Sequence, residues 1–315
     1  MIRAQRPLWI FVWLALVVPA TSFSGEALTT NQLADSVSLV DLATMKTVAE
    51  ITTGGKPAGI ALSPDKKKAY VTAPDGQELI EIDVAGRQVA RRLKLGGGPL
   101  GIAAHPLKPE VFVADWYFHK SAVVETKDFK VISEIAVGQS PSGLAVTPDG
   151  KTLISADRDS DQISIVDLET RKVAATVKTG KRPFGVTMAA DGTRAYTANV
   201  ASDDVTVIDL AARQVIGTIK VGHRPYAIAF AGGLGFSTDQ GVGTVTVFDP
   251  VGLKPVKTIE ACDHPEGIET ATDETAVYIA CWGDNVLLQL DPKKLEITGK
   301  AATGDGPRAF GKFLR

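Results

Sequence analysis

The fold is decided by residues 183–225, near the middle of the chain, which read PFGVTMAADGTRAYTANVASDDVTVIDLAARQVIGTIKVGHRP. Four short segments, residues 184–188, 195–198, 205–209 and 214–221, are rich in apolar and β-branched side chains and are separated by polar turns. Alternating apolar residues bounded by Gly, Asp and Asn are typical of strands. This stretch therefore predicts a meander of four short strands.

The same pattern repeats along the chain at a nearly constant period. Successive prolines that open the units lie 42, 42, 42, 42, 40 and 42 residues apart, at Pro57, Pro99, Pro141, Pro183, Pro225, Pro265 and Pro307. An acidic residue ends every third strand, at Asp41, Asp83, Glu125, Asp167, Asp209, Asp249 and Asp291. The single 40-residue gap is explained by a shortened turn at residues 231–233. Four strands in about 42 residues are typical of one blade of a β-propeller.

The two ends of the chain are expected to share the last blade. Six complete units run from Pro57 to about Gly304, and residues 27–54 match only the second to fourth strands of a unit. Residues 308–313 can supply the missing innermost strand, which would leave no open sheet edge. We therefore predict an all-β, seven-bladed β-propeller with four strands per blade, formed by residues 25–315 as one domain.

The segments AYVTA at residues 69–73, VFVAD at 111–115, AYTAN at 195–199 and VYIAC at 277–281 resemble the repeats of the YVTN-repeat β-propeller family. Gly-x-x-Pro precedes these segments and Val-x-Val-Ile-Asp follows them, and the resemblance covers residues 26–315. It implies an exported bacterial propeller. Relatives are found near periplasmic quinoprotein dehydrogenase systems, and more distant seven-bladed proteins are lactonases, lyases or redox subunits, so the resemblance leaves the activity open.

The N-terminal segment predicts export. Arg3 and Arg6 precede an apolar run at residues 8–18, and mostly small residues then lead to Ser24. This is the pattern of a signal peptide, and the run is too short for a membrane anchor. We predict a signal peptide at residues 1–24, no membrane span after its cleavage, and a soluble, monomeric protein that is periplasmic or secreted.

Composition and charge exclude several other classes. The chain is 44% apolar and 22% charged, which argues against a disordered, collagenous or coiled-coil protein. Beyond residue 24 it has 32 basic and 36 acidic residues. A net negative exported protein is not expected to bind nucleic acid.

One face of the predicted propeller carries the inter-blade loops and the loops between second and third strands, and we call it the loop face. It gathers the candidate ligand-binding residues Lys56, Arg182, Arg224, His264, Arg308, Glu266 and Tyr226. Several cations converging on a channel mouth predict a funnel for a small anionic ligand. Alternatively, the cations are neutralised by nearby carboxylates, namely Asp157, Asp203, Asp239 and Asp284.

The loop at residues 116–119 departs from its polar sister loops because it reads Trp116-Tyr117-Phe118-His119. Exposed aromatic residues are candidate contacts for a periplasmic protein partner. Equally, the aromatic side chains could fold back and pack on the adjoining blade.

The two cysteines are expected on neighbouring strand ends of the loop face. Cys262 takes the Gly position of an inter-blade loop and Cys281 ends the following second strand. In an oxidising compartment this predicts a disulfide and no metal. A soft metal site formed by Cys262, His264, Cys281 and His223 is the alternative, which a disulfide would exclude.

Catalytic motifs are weak in this sequence. Residues 138–143 do not have the spacing of a nucleophile elbow, and Gly96 to Gly98 lack the Lys and Ser/Thr of a phosphate loop. The leading hypothesis is therefore a non-catalytic binding or scaffold protein. The alternative is a metal-assisted lyase or lactonase that uses His223, His264, Glu266 and Asp284 at the channel mouth. The sequence predicts no particular cofactor.

Overall fold

A computed structural model describes residues 25–315, and the predicted signal peptide lies outside this part of the chain. The described residues form 28 strands and one 3-10 helix at Arg158–Ser160. The first half of the strands are β1 (Glu26–Asn31), β2 (Ser36–Asp41), β3 (Lys46–Thr52), β4 (Gly59–Leu62), β5 (Lys68–Ala73), β6 (Glu78–Asp83), β7 (Gln88–Lys94), β8 (Pro99–Ala104), β9 (Glu110–Asp115), β10 (Lys120–Glu125), β11 (Lys130–Ala136), β12 (Pro141–Val146), β13 (Thr152–Asp157) and β14 (Gln162–Asp167). The second half are β15 (Lys172–Lys178), β16 (Pro183–Met188), β17 (Arg194–Asn199), β18 (Asp204–Asp209), β19 (Gln214–Lys220), β20 (Pro225–Ala231), β21 (Leu234–Asp239), β22 (Thr244–Asp249), β23 (Lys254–Glu260), β24 (Pro265–Thr270), β25 (Val277–Cys281), β26 (Val286–Asp291), β27 (Glu296–Ala302) and β28 (Phe310–Gly311).

These strands confirm the predicted seven-bladed propeller. Each complete blade is an antiparallel meander of four consecutive strands, β4 to β7 in blade 1 and β24 to β27 in blade 6. Strands β1 to β3 belong to blade 7. Within residues 25–315 no helix is long and apolar enough to cross a bilayer.

The C-terminal tail completes blade 7. The backbone N–H groups of Arg308 and Arg315 donate to the carbonyl oxygens of Thr30 and Glu26 in β1, at 2.8 and 2.7 Å. Leu28 donates to Phe313 at 2.9 Å. The structure thus confirms that the last blade is closed by both ends of the chain.

The middle of the tail pairs with a different blade from the one that the sequence predicted. Strand β28 leaves β1 and pairs in parallel with β4 of blade 1, where Phe310 lies opposite Gly59. The carboxylate of Glu269 in blade 6 accepts the N–H groups of Phe313 and Leu314. The tail therefore fastens blades 6, 7 and 1 together, and the innermost strand of blade 7 is interrupted.

Close approach of the innermost strands depends on glycine two residues past the blade prolines. A Cβ at Gly101 would collide with the carbonyl oxygen of Ser142, and one at Gly185 would collide with that of Tyr226. The shortened turn predicted in blade 5 is a two-residue hairpin turn. Gly232 and Gly233 have φ values of 58° and 78°, which suit the favoured hairpin geometry.

Apolar side chains from adjacent blades pack face to face and form the core. The largest cluster joins blade 7 to its neighbours and includes the buried Phe313 and Leu314 of the tail. Burial of this apolar surface is the main stabilising contribution to the ring.

Candidate functional site at the two ends of one channel

Seven residues, one directly after each blade proline, form a ring at the loop-face end of the channel, which we call the inner ring. Its members are Ala58, Leu100, Ser142, Phe184, Tyr226, Glu266 and Arg308. Phe184 and Tyr226 meet Phe310 of the tail, with ring centroids 4.6 to 5.4 Å apart. We call these three side chains the aromatic plug. Phe184 and Tyr226 come from blades 4 and 5, and Phe310 comes from β28 beside blade 1, so the plug spans the channel.

A buried polar network lies beside the aromatic plug. Arg308 donates from Nε to Glu266 at 2.7 Å and from Nη2 to the Tyr226 hydroxyl at 2.8 Å. Gln240 donates to the second carboxylate oxygen of Glu266 at 2.6 Å. Burial raises the pKa of Tyr226 well above its usual range, so its hydroxyl stays protonated. Three predicted site residues, Arg308, Glu266 and Tyr226, are therefore brought together, and the charge of Arg308 is neutralised there.

The other four predicted cations lie on the rim of the loop face, each directly before a blade proline. Lys56 pairs with Asp35 at 3.6 Å, and Arg182 pairs with Asp159 at 3.9 Å. His264 pairs with its neighbour Asp263, whereas the Arg224 side chain is exposed. The cations left for a small anion on this face therefore lie at the rim, where Arg182 and Arg224 are both exposed.

The carboxylates suggested as partners for these cations have other roles. Asp157 and Asp239 are buried within their blades, where each accepts hydrogen bonds from hydroxyl groups. Asp203 accepts the backbone N–H of Arg224, and Asp284 accepts that of Asp263. Four of the five predicted cations, Lys56, Arg182, His264 and Arg308, have an acidic partner, and none of these partners is among the four suggested carboxylates.

The aromatic loop divides into a packed part and an exposed part. Trp116 contacts Phe184 of the plug, at 6.3 Å between ring centroids, and the Arg158 guanidinium lies over its indole. Tyr117 and Phe118 are 68% and 59% exposed. The carboxylate of Asp115 accepts the N–H groups of both residues, which fixes the turn, and His119 accepts the N–H of Ser140 through Nδ1.

Cys262 and Cys281 form a disulfide with a Cα–Cα distance of 5.9 Å. In five of the six sister blades the Cys281 position is an Asp or Asn, in blade 1 it is Ala73, and the Cys262 position is a Gly in all six. A Cβ at Gly222 would contact the carboxylate of Asp239, and a Cβ at Gly138 would contact that of Asp157. The disulfide therefore replaces a recurring polar contact between the inter-blade loop and the second strand. Because both thiols are bonded to each other, the soft metal site is not available.

The four residues of the metal-assisted alternative are not gathered. His223 pairs with Asp203, His264 with Asp263, and Glu266 with Arg308. Within residues 25–315 no group of three or more His, Cys, Asp or Glu side chains is arranged to hold a metal ion.

The opposite end of the channel is a cavity of about 480 Å³, which we call the axial cavity. Its wall includes six small residues, each four positions past a blade proline: Ala61, Ala103, Ala145, Thr187, Ala229 and Gly311. Phe310 of the aromatic plug also lines the cavity, so the cavity is closed toward the loop face. This site was not predictable from the sequence, because its wall consists of small side chains with no distinctive chemistry.

His105 lines the axial cavity. Its Nδ1 accepts the N–H groups of Leu107 and Lys108, each at 3.0 Å, so the ring proton lies on Nε2. Burial lowers the pKa of this histidine, so it is neutral. His105 therefore adds a polar but uncharged group to an apolar wall.

Two charged side chains, Lys312 and Glu274, complete the lining. The Lys312 side chain is 75% exposed, and its ammonium lies 3.6 Å from Glu269 Oε1. Glu274 accepts the backbone N–H of Gly232 at 2.8 Å.

Comparison with known proteins agrees with this architecture. A family model described as a YNCE-like β-propeller matches residues 20–110. The chain is a β-propeller. The propeller is not matched by any curated protein. The YNCE-like match covers less than a third of the chain, so it supports the fold class and not the YVTN-repeat family in particular.

Many solved structures share the fold. Hydrazine synthase of Kuenenia stuttgartiensis has a TM-score of 0.77 at 18% identity over 90% of this chain and 100% of its own. A functionally unknown protein of Desulfotomaculum acetoxidans reaches 0.76 at 16% identity over 91% of this chain and 99% of its own. The dihydro-heme d1 dehydrogenase NirN, solved in complex with DHE, reaches 0.68 at 13% identity over 93% of this chain and 75% of its own. At these identities the likeness shows the fold alone.

Proposed function

We propose that this propeller is an exported, non-catalytic binding protein that holds a small molecule in its axial cavity. The observation that carries this proposal is a cavity of about 480 Å³ with an apolar wall and a closed floor. Pockets that bury most of a small ligand have volumes of roughly 300–1,000 Å³, a mainly apolar lining and a few polar groups. The axial cavity meets each of these criteria, with His105 and Thr187 as polar groups.

The neutral fluorescent reporter N-phenyl-1-naphthylamine tests this proposal. We expect saturable binding to one site and a loss of about tenfold or more in affinity when Ala145→Phe fills the cavity. Ala103→Phe is the second filling variant, and Ala212→Phe, at an exposed turn position, is the matched control. Absence of binding by the wild type, or equal binding by all four proteins, would reject the proposal.

A second candidate function is docking of an exported protein on the loop face. The observation that favours it is the exposed pair Tyr117 and Phe118 on a turn held by Asp115. Rigid, exposed aromatic side chains bind with little loss of conformational entropy. The partner we propose offers an apolar cleft for these two rings. By the resemblance described above, it would belong to a periplasmic oxidation system linked to quinoproteins.

Substitution of the exposed pair tests this second function. Tyr117→Ser with Phe118→Ser should abolish capture of a partner from periplasmic extract without lowering the melting temperature. Val251→Ser, at an 80% exposed position in an outer hairpin turn, is the matched control. The captured protein must then bind again in purified form. Unchanged affinity of the purified partner for the double variant would exclude this surface.

A further inference from the structure

We infer that the ligand of the axial cavity is an anionic amphiphile, whose charged group is bound by Lys312 while its apolar body fills the cavity. This inference rests on the proposed function and adds the chemical class of the ligand. Charged side chains at the cavity wall distinguish one class of apolar ligand from another.

The Lys312 ammonium is poorly satisfied. Glu269 is the acid nearest to it, at 3.6 Å, which is longer than a hydrogen bond of about 2.7–3.2 Å. The other oxygen of Glu269 already accepts the N–H groups of Phe313 and Leu314. Among residues 25–315 no acceptor forms a hydrogen bond with Lys312 Nζ, so its three donors remain available.

A second cation reinforces the positive potential near this carboxylate. Lys66, exposed in the turn between β4 and β5, stabilises the ionised form of Glu269, as Lys312 does. Burial opposes both lysines and raises the pKa of Glu269. Both lysines therefore favour the charged form of Glu269, and of the two only Lys312 lines the axial cavity.

The acidic residue of the lining is less available to a ligand. Glu274 already receives the N–H of Gly232, the first residue of the blade 5 hairpin turn. One oxygen of Glu274 is therefore bound to the blade 5 hairpin turn, whereas the Lys312 ammonium has no hydrogen-bonded acceptor among residues 25–315.

The position of Lys312 fits an amphiphile. Lys312 lies two residues past Phe310, which lines the cavity as part of the plug, and both belong to the tail. Two residues of extended chain span about 7 Å, the length of one to two fused aromatic rings. A molecule with its rings over Phe310 would bring a carboxylate or sulfonate to the Lys312 ammonium.

Two probes with one skeleton separate charge from apolar contact. They are N-phenyl-1-naphthylamine, which is neutral, and 8-anilino-1-naphthalenesulfonate, which adds a sulfonate. We expect the sulfonate probe to bind more tightly to the wild type. Lys312→Gln should weaken it about three- to fivefold, the scale of one partly exposed charge contact, and leave the neutral probe within twofold.

Lys66→Gln should give a smaller loss in the same direction, and Lys312→Arg should restore binding of the sulfonate probe. Lys172→Gln, on the exposed outer strand β15, is the matched control. Melting temperatures of all variants establish that the tail remains in place.

The outcomes distinguish the two proposals. If neither probe binds, or if Ala145→Phe changes neither affinity, the proposed function fails. If the neutral probe binds and is displaced by cavity filling, but Lys312→Gln leaves the sulfonate probe unaffected, the anionic ligand class is wrong and the binding function stands. Equal weakening of both probes would mean that Lys312 shapes the cavity wall and binds no charge, which also overturns the inference.

Discussion

The two ends of the channel are built from the same strands and differ in side-chain size. One residue past the blade prolines, the inner ring holds Phe184, Tyr226, Glu266 and Arg308, and the channel is filled. Three residues further along, the corresponding layer is mostly Ala, and a cavity of about 480 Å³ opens. The same repeating backbone therefore forms a closed channel end where the side chains are large and an open end where they are small. The repeat dictates where the side chains lie, and their volumes dictate what the channel can hold.

Removal of the tail should have the largest effect, because the tail contributes to both ends. Deleting residues 307–315 removes Arg308 and Phe310 from the closed end, and Gly311 and Lys312 from the cavity. It also exposes β1 as an unpaired edge. We expect loss of the cooperative thermal transition relative to residues 25–315. A truncated chain that melts like the parent would contradict the observed ring closure.

Truncation of the aromatic plug should have the next largest effect on the unfolding free energy. Phe184→Ala removes a ring that contacts Tyr226, Phe310 and Trp116, at an expected cost of about 3–4 kcal/mol in unfolding free energy. Tyr117→Ala, in the exposed part of the aromatic loop, should lower the unfolding free energy by less than about 0.5 kcal/mol. Denaturant titration of both variants measures the contrast. Equal losses of unfolding free energy in the two variants would mean that the plug side chains are not tightly packed.

The ion pair of the closed end offers a sharper test. Glu266→Gln should leave the buried Arg308 charge without a counter-ion, at about 3 kcal/mol. The double variant Glu266→Gln with Arg308→Met removes both charges and should recover part of that loss. Chemical unfolding of the single and double variants gives the coupling between the two residues. Arg308→Met alone completes the cycle, and additive losses would show that Glu266 and Arg308 are not energetically coupled.

Buried carboxylates at the two levels are expected to make stability depend on pH, with a smaller effect. Burial raises the pKa of Asp239, near the loop face, to about 6, and burial also raises the pKa of Glu269, near the cavity. A raised pKa means that Asp239 contributes stability below about pH 4, which is lost as the pH rises through about 6. Asp239→Asn should therefore stabilise the protein above pH 6, by on the order of 2 kcal/mol.

A natural example of Asn at this position is present in another blade of the chain. Asn199 occupies the same position in blade 4, where it donates to Thr206 Oγ1, the equivalent of Thr246 beside Asp239. Melting curves of the wild type and Asp239→Asn between pH 4 and 8 measure the difference. If the two sets of curves run parallel, Asp239 is not the source of the pH dependence, and Glu269 becomes the candidate.

Much of the fold follows from the sequence because the repeat is periodic at several levels. The prolines predicted the blade boundaries, residues 231–233 predicted the short turn, and the incomplete first unit predicted closure by the tail. These features depend on local geometry and on counting strands, both of which a single sequence contains. The pairing of β28 with β4 was not predictable, because it depends on how Glu269 holds the tail.

The candidate site was less predictable for a physical reason. Charged and aromatic residues attract attention in a sequence, and most of those singled out lie on the loop face, where Arg308 is neutralised and Trp116 is packed. The axial cavity is defined by small side chains such as Ala103 and Ala145. Small side chains leave a cavity only if no neighbouring side chain fills the space. The three-dimensional arrangement of the innermost strands is needed to show that none does.

A crystal structure of the protein grown with N-phenyl-1-naphthylamine tests the difference between the two ends most directly. We expect the reporter to lie between the Ala103 and Ala145 side chains and Phe310, with the aromatic plug unchanged. Reporter bound on the loop face, or a displaced plug with the axial cavity empty, would contradict the assignment of one closed end and one binding end.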